Sequence, residues 1–214
     1  MNYIYRTTNE SLEGVIKGMQ LSKDDNVLAI LGSGDQAFAM LEYADSVVAI
    51  DSKPGQLAYA QKQKELLAEG NIQKFLTRKA TIQSPTLRRR IADVKDYFNE
   101  PGRIGKIREK LGNLRIEKGD IFADLPESQF SRIYLSNVLR YVPYNEFCVD
   151  KLLLLAEKLK PNGLLYITDE RDLYRESLTP LEIKMEKDDE LTRIAKKEEK
   201  KIGVWAPVVY RRKA

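Results

Sequence analysis

The apolar positions of this chain change period several times, and each change predicts an element. Leu12, Val15, Ile16 and Met19 recur at three- and four-residue spacing. That spacing predicts an amphipathic helix over 9–20, with Asn9 or Thr8 as its cap and one face laid on a sheet. Val27 to Leu31 is then a continuous apolar run, as expected of a strand (26–31) buried on both faces. Gly32, Ser33 and Gly34 break the run, and a helix is predicted over 35–43. Val47 to Ile50 gives a second buried strand (46–51) that ends on Asp51. Pro54 sits where a first helical turn lacks a use for its N–H, so a helix is predicted from there to about Gly70.

The second half continues the alternation after a break. Leu114 and Ile116 alternate with Arg115 and Glu117, predicting a third strand with one partly solvated face. Arg132 to Leu135 reads as strand four. A helix over 144–159 follows, carrying Phe147, Leu152, Leu153, Leu155 and Leu159. Pro161-Asn162-Gly163 reads as a turn into strand five, Leu164 to Thr168. In the charged segment 182–201, Lys196 to Lys201 reads as a solvated loop or strand end. Val204 to Tyr210 reads as part of two closing strands, an antiparallel hairpin, with Pro207 at an edge or bulge. Residues 71–112 interrupt the rhythm. They read as two or three short helices inserted before strand three, carrying Phe75, Leu87, Tyr97, Phe98 and the run Arg88-Arg89-Arg90. An insertion at that edge of a parallel sheet commonly builds a lid or an acceptor pocket. The whole is expected to be one α/β domain, 1–214, with this helical insertion.

Composition narrows the chemistry. The chain has 214 residues and is 43% apolar, enough for one sizeable core. Its 36 basic and 32 acidic residues leave a net charge of +4, too balanced to demand a nucleic acid. Contact with nucleic acid is therefore left open but is not favoured. There is one cysteine, Cys148, so no disulfide framework is expected and a reducing cytoplasm fits. No apolar run is long enough to span a bilayer, which leaves at most peripheral membrane contact. Histidine is absent. A Ser-His-Asp triad and a histidine metal cluster are thereby excluded, and no metal site is expected. A sulfonium cofactor suits this scarcity, because it brings its own leaving group and asks the protein mainly to orient an acceptor.

The candidate site lies at the strand ends. Gly32, Ser33 and Gly34 let the backbone turn sharply and approach a ligand. With Ala37 they match GxGxxA, a weak dinucleotide signature taken alone. Asp51, at the tip of strand two, stands beside that turn and is placed to accept from ribose hydroxyls. Asp35 at the helix mouth would repel a pyrophosphate. It suits a cationic amine, such as the amino-acid end of S-adenosylmethionine, or it serves as the helix N-cap. Ser136, Asn137 and Tyr141, at and beyond the end of strand four, face the reacting centre in a doubly wound sheet and are the catalytic, acceptor-side candidates.

The layout resembles the Rossmann-like class I S-adenosylmethionine-dependent methyltransferase fold, a mostly parallel seven-stranded sheet with helices on both faces. Within it, SGDQAFAML followed by VVAIDSKPGQLAYAQKQK is similar to the BtaA-like aminocarboxypropyl transferases of betaine-lipid synthesis. The string Ile133 to Val138 resembles their fourth-strand segment. The resemblance implies S-adenosylmethionine as cofactor and transfer of its 3-amino-3-carboxypropyl group to a small-molecule or lipid-like acceptor. It adds Ser52 and Gln56 to Gly32, Ser33, Gly34, Asp35 and Asp51 as cofactor-binding residues. It also implies that Asp120 accepts from the adenine amine, that Ile121 or Phe122 lies against the ring, and that Ser136 reaches the cofactor. Methyl transfer to a small molecule or RNA is the alternative. An NAD-dependent oxidoreductase and a non-enzymatic RNA-binding module using Arg88 to Arg90 are further ones.

Overall fold

The computed structural model describes residues 5–77, 93–142, 148–168, 179–199 and 206–214. The predicted Arg88-Arg89-Arg90 cluster, Leu87, Phe147 and Val204 lie outside those residues, as do Lys200 and Lys201.

Five strands in parallel form the body of a seven-stranded sheet, in the order β3-β2-β1-β4-β5-β7-β6. They are β1 (Asn26–Ile30), β2 (Ser46–Asp51), β3 (Leu114–Lys118), β4 (Phe130–Tyr134) and β5 (Leu159–Ile167). β6 (Met185–Lys187) and β7 (Val208–Arg212) are added antiparallel. The apolar runs explain the centre. Val27, Ala29 and Leu31 join one buried cluster and Leu28 the other, on opposite faces of the sheet, as a period of two requires. β3 is an edge strand with a buried Leu114 and an exposed Arg115, which is the alternation its sequence shows.

Helices cover both faces. α1 (Leu12–Gly18), α2 (Asp35–Tyr43), α3 (Pro54–Ala68) and α9 (Asp189–Glu198) accompany the first face, and α7 (Cys148–Lys158) and α8 (Thr179–Lys184) the second. α1 is shorter than predicted and is capped by Ser11, whose hydroxyl accepts from Gly14 N–H at 3.2 Å, not by Asn9 or Thr8. Thr8 and Glu10 are drawn away to other partners. The described part of the insertion is helical, with α4 (Ile72–Leu76), a stretch at 93–99 (α5) and α6 (Arg103–Glu109).

Four expectations are corrected. Pro161 to Gly163 lies within β5 as an irregularity, where the β4 pairing shifts register between Phe130 and Arg132, and Asn162 there takes a φ of +61°. Lys196 and Lys197 belong to α9, not to a loop or strand end. α9 therefore separates β6 from β7, so these strands are not a simple hairpin. Pro207 precedes β7, which is flanked by β5 and β6 and is not an edge.

Candidate active site

Strand order reverses between β1 and β4, so the loops after these strands diverge and leave a crevice at the C-terminal edge of the sheet. The β1 turn occupies one side. Gly32 has φ +50° and Gly34 φ +84°, values that side chains with a Cβ rarely adopt. A Cβ on Gly32 would meet nothing within 4 Å, so the space above it is open. A Cβ on Gly34 would press on Phe38 at 3.2 Å and on Ala60 at 3.3 Å, so this glycine also lets α2 and α3 close up.

Asp51 ends β2 next to that turn and is 9% exposed. Its Oδ1 accepts from Lys53 N–H at 2.8 Å. Burial pushes its carboxyl up, partly offset by the N–H groups of Lys53 and Gly32 and by the charge of Lys53. Ser52 is exposed beside it. Gln56 is buried, and both ends of its amide are used: Oε1 accepts from Tyr5 N–H at 3.0 Å, and Nε2 donates to Tyr5 C=O at 2.7 Å.

That contact begins an unexpected feature. Residues 5–10 form a strap across the strand ends. Tyr59 donates to the carbonyl of Arg6 at 2.7 Å. Thr8 N–H donates to Asp35 Oδ2 at 2.8 Å, and Gln36 donates to the Thr8 hydroxyl. Tyr5 and Tyr141 bring their hydroxyls within 3.0 Å of each other. Burial pushes the Tyr5 phenol up to about 12, and hydrogen bonding to Tyr141 and the charge of Asp51 act in the same direction.

Asp35 is thus fully buried and also accepts from Ser33 Oγ at 2.9 Å. It is the first residue of α2, and the N-cap is Gly34, so the cap role expected of Asp35 is not found. The residues after β3 form a tight turn. Asp120 Oδ1 accepts from Phe122 N–H at 2.8 Å and Asp120 N–H donates to Asp124, so the aspartate shapes its own turn. Ile121 is 1% exposed and packs into the core, not into the crevice.

Of the acceptor-side candidates, Ser136 meets a residue the sequence did not single out. Glu10 is 4% exposed and accepts from Tyr134 Oη at 2.6 Å. It also accepts from the hydroxyls of Ser136 and Thr168. Ser136 reaches it from φ +55°, a left-handed conformation costly for a residue with a Cβ. Asn137 is half-buried beside it and Tyr141 is largely exposed. Glu10 precedes a helix and resembles an ordinary first-turn acid, so only the strap's path reveals it.

Burial holds the Glu10 carboxyl above the ordinary carboxylate range; the three hydroxyl donors oppose this, and the nearby Glu199 charge adds to it. A carboxyl that holds its proton more tightly when folded contributes stability at low pH, and that contribution is lost as pH rises through its folded value. Glu10→Gln, always neutral, escapes that loss. Its melting temperature is expected to exceed the parent's at pH 7, with the gap closing toward the ordinary value of 4.5. A gap that does not change with pH would contradict this origin.

Above the strand ends, α1, α5 and α6 enclose a cavity of about 350 Å³ lined by Glu10, Tyr97 and Arg103 among others. The described part of the insertion presents Asp93, Asp96 and Glu100 to it; the arginine run lies outside the described residues. Among the described residues, no helix is long and apolar enough to cross a membrane.

The sequence matches no family model and no curated protein. Solved structures do match. The N-methyltransferase NodS from Bradyrhizobium japonicum WM9, in complex with S-adenosyl-L-homocysteine, aligns at TM-score 0.56 and 10% identity, over 94% of this chain and 84% of that one. A ribosomal-protein methylase from Lactobacillus delbrueckii subsp. bulgaricus aligns at 0.55 and 15%, over 94% and 77%. A dimethyladenosine transferase from Plasmodium falciparum aligns at 0.51 and 15%, over 98% and 62%. The chain spans 34% of another match, a coclaurine N-methyltransferase, at TM-score 0.47 and 14% identity over 73% of this chain. These likenesses show the fold: a Rossmann-like α/β methyltransferase fold with a seven-stranded, mostly parallel sheet.

Proposed function

We propose that the chain is an S-adenosylmethionine-dependent transferase, with methyl as the group moved. The observation that supports it most is the juxtaposition of a glycine turn and a buried carboxylate at the point where strand order reverses. Gly32 leaves open space over bare backbone, and Asp51 beside it is held by backbone donors, ready to accept from the two hydroxyls of a ribose. Gly32, Ser33 and Gly34 would approach the amino-acid end of the cofactor, Asp51 the ribose, and the strap through Tyr5 would close the outer side. The sulfonium supplies the activated carbon and the leaving group. The protein's share is to hold an acceptor in line beside Ser136 and Asn137 and to keep water out.

Ligand at about 100 times its dissociation constant is expected to stabilise the fold by roughly 2.7 kcal/mol. A thermal shift with S-adenosylmethionine or S-adenosylhomocysteine and none with NAD is the expected result. The reverse pattern would remove the cofactor assignment and favour an oxidoreductase.

Aminocarboxypropyl transfer is the second reading, favoured by the likeness of the Ser33-Gly34-Asp35-Gln36 turn to that group of enzymes. It needs Asp35 to hold the amino-acid end in a different pose. Here Asp35 accepts from Thr8 and Ser33, so methyl transfer requires less rearrangement. Mass spectrometry of a turnover mixture separates the two. S-adenosylhomocysteine is the expected product, and 5′-methylthioadenosine in its place would establish the second reading.

A further inference from the structure

Residues 5–10 cross the mouth of the crevice, and the two ends of this strap are held in different ways. The inner end is fixed. Glu10 is buried and accepts from hydroxyls at the ends of β4 and β5. Thr8 N–H donates at 2.8 Å to Asp35, the first residue of α2. The outer end rests on α3, where the Tyr5 main chain is bonded in both directions to Gln56 and the Arg6 carbonyl accepts from Tyr59. From there the Tyr5 side chain reaches across. Its hydroxyl lies 3.0 Å from that of Tyr141, which ends a short helical turn (Val138–Tyr141) after β4. α3 follows β2, and β1 lies between β2 and β4, so this pair joins the two sides of the crevice. Burial and Tyr141 raise the Tyr5 phenol first, and the charge of Asp51 also reaches it, so the bridge stands near the carboxylate where a ribose would sit.

The bridge can open without unfolding the strap. Tyr5 is 42% exposed and Tyr141 66%, and neither ring belongs to a buried apolar cluster. A hydrogen bond that water can replace on both sides is weak, while the buried Glu10 and Thr8 keep the inner end in place when it breaks. Between the two ends lies Thr7, 7% exposed, whose hydroxyl has no hydrogen-bond partner among the described residues. A buried hydroxyl normally has one, and a ligand under the strap can supply it.

We propose that the Tyr5–Tyr141 pair is a latch, that residues 5–10 close over the bound cofactor, and that the cofactor enters and leaves when the latch opens. This rests on the transferase reading and adds how exchange at its site is controlled.

Tyr5→Phe and Tyr141→Phe test it, because each keeps its ring and removes one hydroxyl at an exposed place. Surface plasmon resonance of S-adenosylhomocysteine on the immobilised full chain gives the association and dissociation rate constants. In both variants the two constants are expected to rise by the same factor, about two- to tenfold, with the dissociation constant unchanged, since a gate shared by both directions alters rates and not affinity. Faster dissociation alone would make the hydroxyls ligand contacts, and unchanged rates would make the pair a plain surface bond; either result overturns the latch. Hydrogen exchange followed by NMR decides the point without ligand. The Tyr5 amide, bonded to Gln56, should exchange about two- to tenfold faster in Tyr141→Phe than in the parent, and equal exchange overturns the latch. A parent that binds no S-adenosylhomocysteine while its Tyr5 amide responds in this way would sink the transferase reading and leave the latch standing.

Discussion

Asp51→Ala is expected to weaken S-adenosylmethionine binding by about 1.5–3 kcal/mol, roughly ten- to a hundredfold, while the melting temperature of the unliganded chain changes little. The carboxylate is the sole acidic group at the end of β2, and its backbone donors lie at the crevice, where water can replace it. Its loss therefore removes charge-assisted bonds to the ligand without leaving a donor stranded in the core. Calorimetric titration beside a thermal melt checks both halves. Parent-like affinity would mean that the cofactor does not lie along β2, and the strap over Gln56 would need another purpose.

Phe75→Ala should be the most destabilising of the changes considered, by about 3–5 kcal/mol. Phe75 is fully buried in α4 and stands between two other rings. Its centroid lies 5.7 Å from that of Phe38 in α2 and 5.2 Å from that of Phe98 in α5, both edge to face. Phe98 continues the chain to Tyr97 at 5.2 Å. This aromatic column fastens the insertion to the sheet domain, beside the Arg103–Glu42 ion pair. Truncating its middle member leaves a void and frees α5, which carries Asp93, Asp96 and Tyr97 to the cavity. Denaturant unfolding gives the loss. Hydrogen exchange should show it concentrated at 93–99, and a uniform rise across β1 and β2 would show that the column is ordinary core.

The run Arg88 to Arg90 lies outside the described residues, and the described part of the insertion places Asp93, Asp96 and Glu100 at the cavity. Acceptor selection by the insertion is retained as a proposal.

What the sequence by itself determined is the doubly wound core and one side of the candidate site. Val27 to Leu31 and Val47 to Ile50 are apolar without a break, which only a strand buried on both faces requires. Gly32 and Gly34 stand where the chain needs positive φ, and Asp51 follows its strand directly. These are local signals, and parallel pairing in register then brings them together. The tertiary structure alone decided the rest. Glu10 meets Ser136 and Thr168 across 126 and 158 residues, because the strap runs over the strand ends before α1 begins. Asp35 turned from a free helix mouth to a partner of Thr8 for the same reason. Lys196 joined a helix because Leu191 and Ala195 bury one face of it against the sheet. Hydrophobic period and backbone sterics act over a few residues and can be read in order. A hydrogen bond between distant segments depends on where the whole chain places them, and no local pattern records it.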